Sequence, residues 1–463
     1  MNERTTTMPN FSPGDTAWVL VSAALVLLMT PALAFFYGGM VRMKSVLNMM
    51  MMSFGALALI AVLWVLYGYS MAFGNDIGGG LLGDPLEFLG LQTLMSPDAV
   101  ILQATDEVTG EVIPGTGIPT MAFVAFQAVF AIITVALISG AIADRAKFGT
   151  WMIFAGIWAT LVYFPVAHWV FSFDGVTAEK GGWIANNLGA IDFAGGTAVH
   201  INAGIAGLVL AIVLGKRIGF GKTAFRPHNL PFVMLGAGLL WFGWFGFNAG
   251  SALAANGTAS IVWVTTMVAT ATSSLAWMLT EKIRDGHATS LGAASGVVAG
   301  LVAITPACSS VNVLGAIAIG AIAGVLCALA VGLKYRFGYD DSLDVVGVHL
   351  VGGLVGTLMI GFVATEEAPA AVSGLFYGGG VSQLGKQAAA AGAVLVYSLV
   401  LTLIIGYLLN KTIGFRVDRD VELGGVDINE HAETAYESSD GYGGTFAGNV
   451  SGVRSTSKEG VSA

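Results

Sequence analysis

The chain has 463 residues, of which 55% are apolar and only 11% are charged, whereas ordinary soluble domains carry about 25% charged residues. Together with 64 glycines and 10 tryptophans, this composition indicates a chain whose solvent is lipid, because spanning helices use Gly for close packing and Trp at the interfaces. The net charge of −9 without a dense basic patch excludes a nucleic-acid-binding protein, and two cysteines, Cys308 and Cys327, exclude a disulfide framework.

The N-terminal residues 1–15 are polar and contain one basic residue, Arg4. A signal peptide would need a short apolar core followed by a small-residue cleavage site. Here the first apolar run is too long for that, and it continues into the Phe-Phe-Tyr-Gly-Gly sequence of residues 35–39. It is therefore predicted to be a retained spanning helix.

Eleven apolar runs approach the length of about 20 residues that a spanning helix needs. In chain order they cover residues 18–39, 46–73, 119–143, 150–171, 193–214, 230–253, 260–280, 291–304, 313–333, 345–364 and 388–409. The eighth run is short and rich in glycine. The sequence therefore predicts an all-α polytopic membrane protein with eleven transmembrane helices.

The basic residues orient these helices. If the odd-numbered connections and the C-terminal tail are cytoplasmic, every Lys and Arg except Arg4, Lys180 and Lys386 lies on the cytoplasmic side. The prediction is therefore an extracellular segment at 1–15, a transmembrane domain at 16–410 and a cytoplasmic tail at 411–463. The longest outer loop, residues 74–118, carries seven acidic residues and no basic one; it is either simply solvated or a mouth that modestly concentrates cations.

Two segments match around a histidine. His200 and His349 each follow a Val, each precede Gly residues by four and seven positions, and each come eight residues after an aspartate, Asp192 or Asp341. The histidines fall in helices five and ten, and because five is odd, the second copy must enter the membrane from the opposite side. The sequence thus predicts an inverted repeat of helices 1–5 and 6–10, with helix 11 outside it and the substrate path at the repeat interface.

Ionisable residues within spanning helices are costly and usually mark function; the main ones here are His168, His200 and His349. A lone histidine is often a satisfied packing residue, but two at matched repeat positions favour a pore lining of neutral imidazoles that share a hydrogen bond. A metal site is less favoured, because no acidic residue or Cys/His cluster lies at ligand spacing. No cofactor is expected.

Aromatic residues at outer helix ends give a second signal. They form either a site that holds a cation against ring faces or an interfacial aromatic belt. The candidates are Phe126, Phe130, Trp169, Phe171, Trp244, Phe245 and Phe247, with Ser251 as a hydrogen-bond acceptor. Asp192 has the sequence context of an N-cap for helix five. It is also a candidate for an anion that influences the cation site without contacting the cation.

Several motifs resemble the ammonium transporter/Rhesus family. They are Phe36-Tyr37-Gly38-Gly39, Ala125-Phe126-Gln127, the stretch from Asp192 through His200-Ile201-Asn202 to Gly215-Lys216-Arg217, the stretch Gly243 to Ser251, and Thr305-Pro306-Ala307-Cys308. The resemblance runs from about Trp18 to Tyr436 and is closer to the microbial ammonium transporter branch.

The resemblance implies a homotrimer in the cell membrane with one pore in each subunit. It implies an outer ammonium site at Phe130, Phe171 and Ser251, a gate of Phe130 with Phe247, and twin pore histidines at His200 and His349. Asp192 would be the buried outer aspartate needed for transport. The family usually has Trp at the position of Phe171, and because Trp has the stronger ring face for a cation, the outer site should be weaker here.

The tail resembles the family's regulatory C-terminus at residues 414–417, 425–427 and 431–436. In microbes this region meets a PII signalling protein, so the resemblance implies a PII-type partner. Residues after Tyr436 are rich in Gly and Ser and are expected to be disordered.

The resulting hypothesis is an ammonium transporter: the outer site binds the ion, a proton is given up and either left outside or carried separately, and NH3 passes the phenylalanine gate and the twin histidines. The alternatives are a Rhesus-type channel for neutral NH3 or CO2 and an ammonium sensor that conducts little, although sensors often carry a signalling domain that this chain is not expected to have. An enzyme is disfavoured, because the sequence offers no nucleophile–base pair.

Overall fold

The computed structural model describes residues 10–106 and 109–436. Three sequence predictions concern residues outside these ranges: the extracellular placement of residues 1–9, the acidic character contributed by Glu107, and the disorder of the chain after Tyr436.

Within the described ranges, ten helices are long and apolar enough to cross a membrane, and an eleventh apolar helix is shorter. In chain order they are α1 (Pro13–Met40), α2 (Met43–Phe73), α3 (Thr120–Ile142), α4 (Phe148–Phe171), α5 (Gly196–Leu214), α6 (Leu230–Gly250), α7 (Gly257–Asp285), α8 (Ser290–Ile304), α9 (Val313–Phe337), α10 (Val346–Val363) and α11 (Ser382–Thr412). The predicted all-α polytopic architecture is confirmed, and the short element is the predicted eighth one.

Side chains that accept a backbone N–H set the starts of several helices. Asn229, Asn256, Thr289 and Asn312 cap α6, α7, α8 and α9, each bonding to the N–H three residues later. The fifth run, predicted to be helical from residue 193, becomes helical only at Gly196. The preceding Gly195 has φ +125°, a conformation that L side chains rarely adopt.

Glycines let α1 and α6 approach closely. A Cβ on Gly236 of α6 would lie 2.4 Å from the Phe36 nitrogen of α1, and one on Gly243 would lie 2.4 Å from the Met29 side chain. Small residues at an interface are the usual means of close helix packing in membranes. These two helices are the first of each predicted repeat half; the inverted relation of the halves stays a prediction.

The helices α5 and α10 both open with a π-helical turn, at Gly196–Ile201 and Val346–Leu350. A Cβ on Gly204 would lie 2.4 Å from the Leu350 nitrogen, so the two helices also pack closely. Short π-helical segments are frequent at functional sites. Each of these two turns carries one of the matched histidines.

The segment after α11 folds back onto the ends of earlier helices as α12 (Arg419–Gly424) and α13 (Val426–His431). The Asp427 carboxylate accepts the backbone N–H groups of Leu47 and Asn48 at 3.0 and 2.8 Å, and Glu430 accepts the N–H of Phe148 at 2.8 Å. The tail therefore supplies the caps for the first turns of α2 and α4.

A buried cluster of charges joins three connections on the same side of the protein as this tail. Arg217 bonds to Asp340 through two guanidinium nitrogens, at 2.9 and 2.8 Å, and to Asp144 at 2.9 Å. Burial alone would raise the pKa of Asp340, but the hydrogen bonds and charge of Arg217 outweigh it and hold this pKa below its usual range. Burial lowers the pKa of the neighbouring Arg145 to about 10, which leaves it charged at neutral pH.

Candidate functional site

A vestibule of about 230 Å³ lies between the ends of α3, α4 and α6 and the segment that precedes α5. Its lining is mostly aromatic and aliphatic: Leu102, Phe123, Phe126, Gln127, Phe130, Phe171, Phe173, Val176, Thr177, Phe193, Ala194, Ser251 and Leu253. Four residues proposed from the sequence for the outer site, Phe126, Phe130, Phe171 and Ser251, therefore lie around one cavity.

Ser251 is one of only three polar side chains in this lining of described residues. Its hydroxyl donates to the carbonyl oxygen of Phe247 at 2.7 Å. A hydroxyl has one hydrogen and two lone pairs, so the hydroxyl oxygen keeps acceptor capacity for an N–H donor in the vestibule. An ammonium ion, which has only N–H donors, requires such an acceptor.

Phe130 lines the vestibule, and Phe247 lies behind it and lines the cavity at the histidines. Their rings stack with centroids 4.2 Å apart and planes at 29°, and the two side chains are buried. The Phe126 ring packs against the Phe130 ring at a centroid distance of 4.9 Å. On the far side, the Phe247 ring lies 6.1 Å from the imidazole of His200. The phenylalanine pair thus separates the vestibule from the histidines.

His200 and His349 face each other across a narrow lumen. Their Nδ1 atoms are 3.3 Å apart, and their rings are nearly parallel with centroids 5.4 Å apart. One ring must donate and the other accept in this contact, so the two imidazoles are complementary tautomers. Among the described residues, the Nε2 atom of His200 has no hydrogen-bond partner.

The lumen at the histidines has a volume of about 10 Å³, comparable to a single water-sized sphere. Apart from the histidines, its walls are apolar or aromatic: Met29, Leu33, Phe36, Ile133, Leu137, Val199, Leu240, Trp244, Phe247 and Val298. A passage of this size has no room for a hydrated ion.

Trp244, which the sequence suggests for the outer aromatic site, lies beside the histidines. It does not line the vestibule; its ring stacks on His200 at 5.4 Å with an interplanar angle of 18°. The indole N–H donates to the hydroxyl of Thr305 at 2.8 Å, and Thr305 lies 3.2 Å from the side-chain oxygen of Asn248. Sequence reasoning assigns no role to Thr305, although this residue begins the motif Thr305-Pro306-Ala307-Cys308.

The Asp192 carboxylate is saturated by the start of α5. Its two oxygens accept the backbone N–H groups of Gly195, Gly196, Thr197 and Ala198 at 2.6–3.2 Å, and also the hydroxyl of Thr197. The carboxylate therefore compensates the positive end of the helix that carries His200. Asp341 accepts two N–H groups at the start of α10 in the same way, at 3.1 and 2.8 Å.

The other aromatic and ionisable candidates lie elsewhere. His168 bonds to the carbonyl of Ala72 at 3.0 Å and approaches Asp76 at 3.4 Å, so it ties the outer ends of α2 and α4. The Trp169 indole donates to the carbonyl of Leu81, so this ring does not replace the missing Trp of the vestibule. Phe245 stacks on Trp263 at 4.2 Å, away from both cavities.

The family model described as Ammonium Transporter Family matches residues 17–436. The chain belongs to the ammonium transporter family. It is therefore a multi-pass membrane protein that transports ammonium, as the sequence predicted, and its family is one of transporters rather than enzymes.

Relatives match over nearly the whole chain. The ammonium transporter of Mycobacterium tuberculosis is 66% identical over 431 residues, covering 92% of this chain and 90% of the relative. That of Aquifex aeolicus is 47% identical, covering 91% and 93%. Among solved structures, Saccharomyces cerevisiae Mep2 superposes with a TM-score of 0.80 at 33% identity, covering 94% and 93% of the two chains. A structure titled Sensor Amt Protein has a TM-score of 0.79 at 27% identity, covering 90% and 98%.

Proposed function

We propose that NH4+ is held in the outer vestibule and gives up a proton, that NH3 then passes the Phe130–Phe247 gate and the pair formed by His200 and His349, and that the proton is carried across separately, so that transport moves charge. The observation that carries this proposal is that the three parts share walls. Phe130 lines the vestibule and forms the gate, and Phe247 forms the gate and lines the lumen of the histidines. The parts therefore lie in series on one path.

The vestibule suits a small cation that also donates hydrogen bonds. Aromatic ring faces attract a cation, and Phe126, Phe130 and Phe171 are within the lining. The Ser251 hydroxyl, already donating to Phe247, offers lone pairs to an ammonium N–H. Potassium gains from the rings but has no hydrogen to donate.

The lumen sets the second condition. An ion that entered this apolar passage would lose its hydration at a cost of many kcal/mol. Ammonium can avoid that cost by entering the lumen as NH3 while its proton crosses separately, whereas potassium has no proton to give up. The neutral tautomers of His200 and His349 would then offer a donor and an acceptor to NH3.

The test is electrophysiology on the purified protein in liposomes. Wild type is compared with His200→Ala and His349→Ala, and with His287→Ala, which removes an exposed histidine from the connection between α7 and α8. We expect both pore variants to lose ammonium-dependent current or selectivity over potassium, and the His287 variant to behave as wild type. Unchanged current and selectivity in both pore variants, or a wild-type potassium flux comparable to the ammonium flux, would defeat the pathway.

The same recordings address the two alternatives. A net current on adding ammonium rules out conduction of neutral gas alone. The similarity to a structure titled as a sensor makes the size of that current informative, because a protein that mainly senses ammonium would carry little of it.

We also propose the arrangement around the pore: a homotrimer in the plasma membrane, residues 1–15 extracellular, a transmembrane domain at 16–410, and residues 411–463 as a cytoplasmic regulatory tail that a PII-type protein can meet. The one-sided distribution of Lys and Arg supports this orientation. Labelling of single introduced cysteines from either side of sealed vesicles tests the orientation, and the mass of the detergent-solubilised particle tests the trimer.

A further inference from the structure

The segment between Gly189 and Gly195 leads into α5 and forms part of the vestibule wall. Phe193 and Ala194 line the vestibule, and Asp192 caps α5. This segment makes few backbone hydrogen bonds of its own; one joins the N–H of Phe193 to the carbonyl of Pro306 at 3.2 Å. Its position must therefore be fixed largely by side chains.

One side chain of α11 pairs with both backbone groups of Ile191. The Gln387 side-chain oxygen accepts the Ile191 N–H at 2.7 Å, and the side-chain nitrogen donates to the Ile191 carbonyl, also at 2.7 Å. This is the two-bond pairing that a neighbouring β-strand would provide. It holds the peptide directly before Asp192.

The remaining capacity of the Gln387 amide is also used. Its nitrogen donates to the carbonyl of Thr357 in α10 at 3.3 Å, and its oxygen accepts a hydrogen bond from Gln383 at 2.9 Å. An amide has two hydrogens and two acceptor sites, so Gln387 is fully satisfied, and its side chain is completely buried. A reversed amide would place N–H against the Ile191 N–H, so only one orientation fits.

We infer that Gln387 is a positioning residue for the ammonium site, and this inference rests on the proposed function. It joins the segment before α5 to α10, the two elements that lead to His200 and His349, from a helix outside the predicted repeat. Through Ile191 it sets the place of Asp192 and of the vestibule wall that follows. It acts on capture of the ion in the vestibule and leaves the gate and the histidine pair unchanged.

Two substitutions separate positioning from packing. Gln387→Met keeps the length of the side chain and removes all four hydrogen bonds. Gln387→Glu keeps an acceptor for the Ile191 N–H, but even as a neutral acid it has one hydrogen for the two carbonyls of Ile191 and Thr357, so it should restore function only in part. Gln383→Met is the matched control, because Gln383 is buried on the same helix and bonds to Gln387 without touching the segment.

The first measurement is the ammonium dependence of current in liposomes. In Gln387→Met we expect the half-saturating concentration to rise roughly tenfold, with a maximal current within about twofold of wild type and selectivity over potassium unchanged. Gln387→Glu should show a smaller rise, because a neutral carboxyl keeps one of the two donated bonds, and Gln383→Met should remain within about twofold of wild type. An unchanged half-saturating concentration in folded Gln387→Met, or an equal rise in Gln383→Met, overturns the inference.

The second measurement needs no substrate. Hydrogen exchange of the backbone amides of residues 191–198 in the resting protein should accelerate in both Gln387 variants and not in Gln383→Met. Unchanged exchange in the Gln387 variants also overturns the inference. If wild type itself gives no saturable ammonium current, the proposed function fails, and the exchange measurement alone decides whether Gln387 holds the segment.

Discussion

The Phe130 ring stacks on the Phe247 ring with centroids 4.2 Å apart. Nothing separates the two rings at this distance, which is close to van der Waals contact, so on the proposed path a solute that leaves the vestibule must displace one of them. The constriction is made of hydrocarbon alone and excludes water by the same interaction that packs a protein core. Discrimination against hydrated ions can therefore begin before the histidines.

Replacing Phe130 with Ala should weaken that discrimination. The missing ring opens the vestibule floor to water, and we expect potassium permeability relative to ammonium to rise while an ammonium current persists. Reversal potentials in liposomes with opposing ammonium and potassium gradients measure the ratio. An unchanged ratio would show that the phenylalanine pair is not the barrier to potassium.

Phe245→Ala is the control for this variant. Phe245 also stacks on an aromatic ring at 4.2 Å, but that ring is Trp263 and lies away from both cavities. Removing the buried Phe130 ring costs about 3–5 kcal/mol of stability, and removing the half-buried Phe245 ring should cost less, so thermal unfolding should be recorded for both variants. Only Phe130→Ala should change the permeability ratio.

Phe171→Trp should tighten the outer site. Phe171 is buried against a vestibule of about 230 Å³, which offers space for the larger indole. Trp is the best aromatic partner for a cation, and an improvement of about 0.5–1 kcal/mol corresponds to a roughly two- to fivefold lower half-saturating ammonium concentration. The concentration dependence of the current measures it. A half-saturating concentration that stays the same or rises would mean that this ring does not face the bound ion.

Asp192→Asn should destabilise the start of α5. An amide keeps one oxygen acceptor but presents N–H hydrogens to a cluster of five donors, so several bonds to a charged oxygen are lost. The cost expected for such orphaned groups is about 1–3 kcal/mol. Thermal unfolding of the detergent-solubilised protein measures the loss of stability. Hydrogen exchange of the backbone amides of residues 195–198 measures the loss of the caps at the start of α5. Wild-type exchange at these amides would contradict the capping role.

The sequence predicted the helices and histidines of the path better than the contacts between distant helices. Apolar runs predicted every spanning helix, because lipid demands a continuous apolar length that local composition reveals. The spacing of Asp192 from His200, repeated at Asp341 and His349, predicted that these two histidines belong together, and their Nδ1 atoms lie 3.3 Å apart. Both signals are local or periodic.

Contacts between distant helices were not predictable in this way. Thr305 bonds to Trp244 across 61 positions, and Gln387 bonds to Ile191 across 196. Each looks like an ordinary polar residue at the edge of an apolar run until the neighbouring helix is present. Trp244 was assigned to the outer site because it lies in the same motif as Ser251, but seven residues along a helix separate them by about 10 Å. That rise carries Trp244 to the level of the histidines.

Asp340→Asn should destabilise the buried charge cluster of Arg217, Asp340 and Asp144, which joins three helix connections on the same side of the protein as the tail. Arg217 and Asp340 are almost fully buried, and Asp340→Asn removes the two-nitrogen ion pair while Arg217 keeps its bond to the Asp144 carboxylate. The cost should therefore be at most the about 3–5 kcal/mol of breaking an isolated buried pair. Asp285→Asn is the control, because its pair with Arg284 is exposed and its loss should leave the melting temperature unchanged.

The pair also predicts a pH dependence. Arg217 holds the pKa of Asp340 below its usual range of about 4. The stabilisation by the pair is therefore complete above about pH 4 and is lost as the pH falls through the lowered value, because protonating Asp340 favours the unfolded state. Melting temperatures from pH 7 to pH 3 should show Asp340→Asn well below wild type at neutral pH, with the difference narrowing only at the acidic end. Equal melting temperatures at pH 7 would contradict a stabilising role for this pair.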